Sequence, residues 1–118
     1  MSDVHLDSAV LATLQDVMED EYPILLDTFL KDSEERVQLL YQALEAGDGE
    51  GLRRAAHSFK GSCSNMGAML LTELCRALED AARQGALEQA DGLIDRIERE
   101  FAIVRILMRS ERQRFTLG

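Results

Sequence analysis

A single helical stretch gathers most of the reactive chemistry of this chain. His57 is followed by Lys60 at i+3, Gly61 at i+4 and Ser64 at i+7, with Arg53 and Arg54 one turn before it. Residues three and four apart are neighbours on a helix surface, so these groups share a face. The chain has only two lysines and two histidines, and one of each falls in this turn. An unperturbed imidazole, with a pKa of about 6.5, is largely neutral near neutral pH and attacks phosphorus without a strong base. An ammonium beside it offsets the charge of a phosphoryl group in transfer. A glycine clears the space next to the ring, so that a partner protein can bring its own phosphate close. Inside a helix that glycine costs about 1 kcal/mol relative to alanine, and it is kept where something must approach. A lone exposed histidine with a lysine three residues on is otherwise ordinary helix surface. The adjacent glycine argues for phosphoryl chemistry, as does the lack of the partners one histidine needs for hydrolysis.

The histidine can act only if its helix turns it outward. At about 100° per residue, with Phe59 at the centre of the buried face, Leu52, Ala55, Cys63 and Met66 fall within about 40° of it. His57 falls about 160° away, in solvent. Asp48 is the expected N-cap of this helix, after the Gly47, Gly49 and Gly51 break, and Gly67 its expected stop.

Four other helical segments are expected around it. The first runs from about Ser8 to Met18, capped by Asp7 or Ser8, and the second starts near Pro23, which suits a first helical turn. The second continues to about Ala46 with Leu26, Phe29, Leu30, Val37, Leu40 and Leu44 as its apolar stripe. A fourth covers about Met69 to Gln84 with Leu71, Leu74, Leu78 and Ala81 inside, and stops at Gly85. The fifth begins near Leu87. Its Leu87, Ala90, Ile94, Ile97, Phe101, Val104 and Met108 keep the 3,4 spacing of a bundle seam. Four long amphipathic helices with short links predict an all-α antiparallel four-helix bundle, with the short first helix over one end. Residues 1–118 read as a single domain, with Arg112 to Gly118 expected to fray.

Composition removes several function classes. A formal net charge of −9 disfavours nucleic acid and anionic membrane as partners. No apolar run is long enough to span a bilayer, and MSDVHLDSAV lacks the layout of a signal peptide. Cys63 and Cys75, both in apolar helical patterns, read as buried thiols in a reducing cytoplasm. There is no Gly-x-x-x-x-Gly-Lys-Ser/Thr run and no kinase glycine-rich loop, so no ATP site is expected.

The run Ala56-His57-Ser58-Phe59-Lys60-Gly61-Ser62, followed by Gly67-Ala68, resembles the signature of the histidine-containing phosphotransfer (HPt) domain family. The stretch Leu74 to Glu79 with Gly85 is similar to the family's fourth-helix pattern, and Phe29-Leu30 and the Gly47-Asp48 turn also fit. The resemblance covers most of the chain and points to a stand-alone bacterial member. Phe59 stands where the family has leucine; both are large and apolar, so the core role survives. The resemblance implies that His57 accepts a phosphoryl group from a receiver-domain aspartate and passes it to another receiver. Lys60 then matches the lysine near the phosphate and Gly61 the glycine that clears space. It further implies receiver domains of hybrid sensor kinases and of a response regulator as partners, a monomer, and no cofactor of its own, the Mg²⁺ being expected on the receiver. On that reading the chain is a carrier and not an enzyme. It would offer His57 with a mostly apolar docking rim, and Arg53, Arg54 and Lys60 would outweigh the overall acidity at the contact. Glu79 and Arg83 lie where some members place polar groups near the imidazole. They fit a solvated helix face with a surface ion pair equally well.

Three rival readings remain open to test. A helical interaction module that is never phosphorylated would need only an apolar face. A metal or redox site would draw on His5, His57, Cys63 and Cys75, but His57 and Cys63 face opposite sides of one helix. The phosphoacceptor part of a sensor kinase would need a separate ATP-binding domain and is usually dimeric.

Overall fold

Helix boundaries fall where capping chemistry puts them. The computed structural model describes residues 4–115. Among these it has α1 (Ser8–Met18), α2 (Tyr22–Glu45), α3 (Gly49–Asn65), α4 (Met69–Arg83) and α5 (Leu87–Gln113), and no strand. Asp7 caps α1 by accepting from the backbone N–H groups of Ala9 and Val10, and Asp48 caps α3 by accepting from that of Gly51. Pro23 sits in the first turn of α2, where its missing N–H has no role. Gly67 ends α3 at φ +74°, and a side chain there would meet Val10 at 3.0 Å. A short 3-10 turn over Glu19–Glu21, which the apolar periodicity does not reveal, joins α1 to α2.

α2 to α5 close a ring in which each helix packs on its two neighbours, the closest contact being between α3 and α4. Pairs between α2 and α5 run in opposite order along the two helices: Asp27 with Arg112, Glu34 with Arg105, Tyr41 with Asp95 and Glu98, and Tyr22 near the start of α2 bonds Glu111 near the end of α5. That ordering makes the two helices antiparallel. The expected stripes are buried in α2, α4 and α5, with Leu44 and Leu87 only partly covered. Tyr22, Cys75 and Ala82 join the core beyond those stripes.

One position in α3 differs from expectation. Ala55 is partly exposed, while Ala56 is fully buried. The buried arc is rotated toward α4 because α3 packs more closely on that helix than on α2.

With 27 residues, α5 is longer than α3 and α4, with 17 and 15. At 1.5 Å per residue the difference leaves one end of α5 overhanging by roughly 15 Å. The N-terminal segment covers part of this end. Asp7 N–H donates to Gly67 O, Leu70 N–H donates to Val4 O, and His5 Nδ1 lies 2.6 Å from buried Glu100. The tail is held more firmly than its polarity suggests. Arg112 and Gln113 are helical, Arg112 pairs with Asp27, and the Phe115 ring packs edge-on against Tyr22; residues 116–118 lie outside the described residues. No helix among the described residues is long and apolar enough to cross a membrane.

Candidate functional site

His57 stands on the outer surface of α3 with 64% of its side chain exposed, opposite Phe59, which is fully buried. The two faces of α3 therefore separate as the 100° turn angle requires. The ring is not free to spin. Its Nδ1 lies 2.9 Å from Glu79 Oε2 on the neighbouring α4. Glu79 is ionised, so it can only accept, and Nδ1 carries the proton. Nε2, across the ring, makes no hydrogen bond among the described residues.

Glu79 is the organising group. Its side chain is only 4% exposed, and it accepts from three donors on two helices. Lys60 Nζ donates to Oε1 at 2.6 Å; His57 Nδ1 and Arg83 Nη2 donate to Oε2, the latter at 3.0 Å. The Lys60 hydrogen bond holds this carboxyl below the usual glutamate value, against the upward push of burial, and the His57 hydrogen bond adds to the lowering. A buried carboxylate with three charge-assisted partners is satisfied, where an unpaired one would be expelled or protonated. Of the two environments that fitted Glu79 and Arg83, the structure selects a different one for each. Glu79 is covered by His57, Lys60 and Arg83, whereas Arg83 is half exposed and divides itself between Glu79 and Asp80.

The other expected residues are near but play unequal parts. Arg53 is engaged by Glu50 on its own helix through both Nε and Nη2. Arg54 is exposed and forms no ion pair among the described residues, and Ser64 is exposed one turn beyond Lys60 without a side-chain bond to the imidazole. Two residues that spacing did not single out also sit here. Arg36 of α2 reaches across to Ser58, the residue after His57, with Nη1 2.5 Å from Ser58 Oγ. Its Nε is buried without an acceptor, as is Ser33 Oγ one turn earlier. No pattern within α3 could have pointed to a residue on α2. The surface around His57 is thus polar and cationic. None of the large apolar side chains exposed among the described residues lies on α3, so the apolar rim expected there is absent from this helix.

Gly61 is helical and exposed, and a Cβ there would meet nothing within 4 Å. Nothing in the fold requires glycine at this position. Gly61→Ala is expected to stabilise the free protein by about 0.5–1 kcal/mol through helix propensity. The same change should slow phosphoryl transfer, because a methyl group enters the gap beside the imidazole. Thermal unfolding and a transfer assay on the one variant check both halves.

The cysteines do not belong to this site. Cys63 and Cys75 are both buried and reduced, in contact between α3 and α4, and burial pushes the Cys63 thiol up. Cys63 lies on the inner side of the helix whose outer side carries His57.

An exposed imidazole, a buried carboxylate on its Nδ1 and a lysine on the same carboxylate thus meet between α3 and α4. A solved structure and a family profile match this chain. The profile of the Hpt domain family matches residues 24–106. Among solved structures, the chain is similar to the crystal structure of histidine-containing phosphotransfer protein B (HptB) from Pseudomonas aeruginosa PAO1. The identity is 63%, with 96% of this chain and 98% of that chain covered, and the TM-score is 0.94. No curated protein sequence matches the chain. Sequence, fold and site together place the chain in the Hpt domain family, as a histidine phosphotransfer protein of phosphorelay signalling.

Proposed function

We propose that His57 is the phosphoryl acceptor, loaded from the aspartyl phosphate of one receiver domain and discharged to the aspartate of another. The observation that carries this reading is the Glu79 carboxylate 2.9 Å from His57 Nδ1, which favours the tautomer that leaves Nε2 for phosphorus. In transfer, Nε2 attacks phosphorus in line with the aspartyl oxygen. The Nε2–P bond forms, the P–O bond to aspartate breaks, and the aspartate leaves as a carboxylate. The ring gains positive charge because Nδ1 keeps its proton. Glu79, already ionised and beside it, balances that charge without reorganising.

Lys60 has two sites for its ammonium. In the free protein it bonds Glu79 at 2.6 Å. Only 24% exposed and one turn from His57, it can turn from Glu79 to the phosphoryl oxygens once these arrive. Lys60→Ala is expected to slow transfer about 10- to 100-fold. Stability should fall by about 1–3 kcal/mol, because Lys60 is the chief partner of a carboxylate only 4% exposed, while His57 and Arg83 still keep Glu79 paired. Rapid-quench transfer from a phosphorylated receiver measures the first, and urea unfolding the second. Transfer at the wild-type rate would remove Lys60 from the reaction.

Receiver domains are the family's partners. We place this chain between the receiver of a hybrid sensor kinase and that of a response regulator, acting as a monomer in the cytoplasm. Its two reduced buried cysteines suit that compartment. The Mg²⁺ that transfer needs belongs on the receiver, and this chain supplies nucleophile, counter-charge and cation. It is a carrier that is itself the substrate, since it offers no phosphate donor of its own. A radiolabelled phospho-receiver mixed with this protein tests the reading. Label should move to the chain and onward to a second receiver, and failure to label the wild type would remove the relay reading.

A further inference from the structure

A second surface of the bundle has the composition of a docking groove and lies away from His57. α4 and α5 border a groove of ≈330 Å³ lined by Leu70, Leu74, Ile103, Arg96, Arg99 and Glu100. Leu70 and Glu79 are nine residues apart on α4, which at about 100° each puts them on opposite sides of that helix. The groove therefore opens toward α5 while the site opens toward α3. Ile103 is 40% exposed, as is Leu107 one turn further along α5. Apolar side chains repeated at this spacing on an outer helix face mark a surface that a partner helix can cover.

The charge of the groove says what kind of helix. The protein carries a net −9, yet Arg96 and Arg99 stand exposed on the rim and form no ion pair among the described residues. The carboxylate of the groove, Glu100, is buried and already engaged by His5 at 2.6 Å. The groove thus offers two uncommitted guanidinium groups beside leucine and isoleucine. We propose that the α4–α5 groove docks an amphipathic helix of a partner protein, with aliphatic side chains over Leu70 and Ile103 and carboxylates on Arg96 and Arg99. Occupancy of the groove leaves His57 uncovered, so the partner can be held while a receiver is served.

The test reads binding alone and is independent of phosphoryl transfer. Two synthetic helices of about 18 residues share leucine at every third or fourth position; one has glutamate flanks and the other lysine flanks. Each is titrated into the ¹⁵N-labelled full chain. The acidic helix should give saturable shifts at Leu70, Leu74, Arg96, Arg99 and Ile103 with none at His57. It should weaken by about tenfold or more when Arg96 and Arg99 are both changed to Glu, and again at high salt. Ile103→Glu, a single exposed change, should weaken it without altering helicity. Equal binding of the lysine-flanked helix, shifts centred on α3, or no saturable shift would overturn the proposal. So would concentration-dependent dimerisation in sedimentation that Ile103→Glu abolishes, since a second copy would then be the occupant.

Discussion

His57→Gln should accept no detectable phosphoryl group while folding as the wild type does. The ring is 64% exposed and lies on the face of α3 opposite the core, so its loss leaves packing untouched and unfolding free energy within about 0.5 kcal/mol. Glutamine keeps an N–H donor within reach of Glu79 but has no nucleophilic nitrogen. Removal of a nucleophile lowers transfer by at least about a thousandfold. The control is His5, the second histidine, which presents the same pairing: Nδ1 on a buried carboxylate, here Glu100 at 2.6 Å. It differs in what surrounds it. No lysine or arginine hydrogen-bonds Glu100 among the described residues, and only 33% of the His5 side chain is exposed. His5→Gln should therefore label as the wild type does. Intact-mass measurement after incubation with a phosphorylated receiver reads both variants, with acid lability identifying an N–P bond. Undiminished label on His57→Gln would move the acceptor elsewhere and end the proposed mechanism.

The contrast between the two histidines shows what the sequence could and could not reveal. Helix periodicity placed His57 outward because that judgement needs only the residues of α3 and the turn angle. The same arithmetic placed the stripes of α2, α4 and α5. Its error at Ala55 and Ala56 has a simple cause: period locates the buried arc but not how far a neighbouring helix rotates it. Glu79 shows a deeper gap. Within α4 it is a polar residue among others, and its burial depends on Lys60 and His57 arriving from α3. A carboxylate covered by cations from another helix has no single-helix signature. Arg36 was invisible for the same reason, since its partner Ser58 lies on a different helix. Family resemblance reached further than periodicity here, because it brought His57, Lys60 and the fourth helix into one pattern. It still left Glu79 and Arg83 undecided between the imidazole and a solvated helix face.

Glu79 is where fold and chemistry are coupled, and its two simplest variants separate them. Glu79→Gln is nearly isosteric. Its amide oxygen can still accept from His57 Nδ1, so the tautomer that leaves Nε2 for phosphorus survives. What it loses is the charge that balances the ring as phosphorus bonds to it, and its amide N–H₂ then faces the donor Lys60. Transfer should fall about 10- to 100-fold. Glu79→Ala also frees the ring to rotate and to shift its proton, and should fall further, by about 100- to 1,000-fold. Alanine removes three charge-assisted hydrogen bonds between and along α3 and α4, for a loss of about 1–3 kcal/mol in unfolding free energy. The pH dependence supplies an independent check. The Glu79 carboxyl is held below its ordinary value of 4.5, chiefly by the Lys60 hydrogen bond and further by that of His57. A group whose folded pKa is depressed contributes stability above its unfolded pKa and loses it as pH falls through the folded value. The stability gap between wild type and Glu79→Gln should therefore be full near neutrality and shrink at a pH below 4.5. Urea unfolding at the two pH values measures the gap, and rapid-quench transfer measures the rates. If Glu79→Gln transfers as fast as the wild type while showing the predicted stability loss, the carboxylate ties α3 to α4 and plays no part in charging the imidazole.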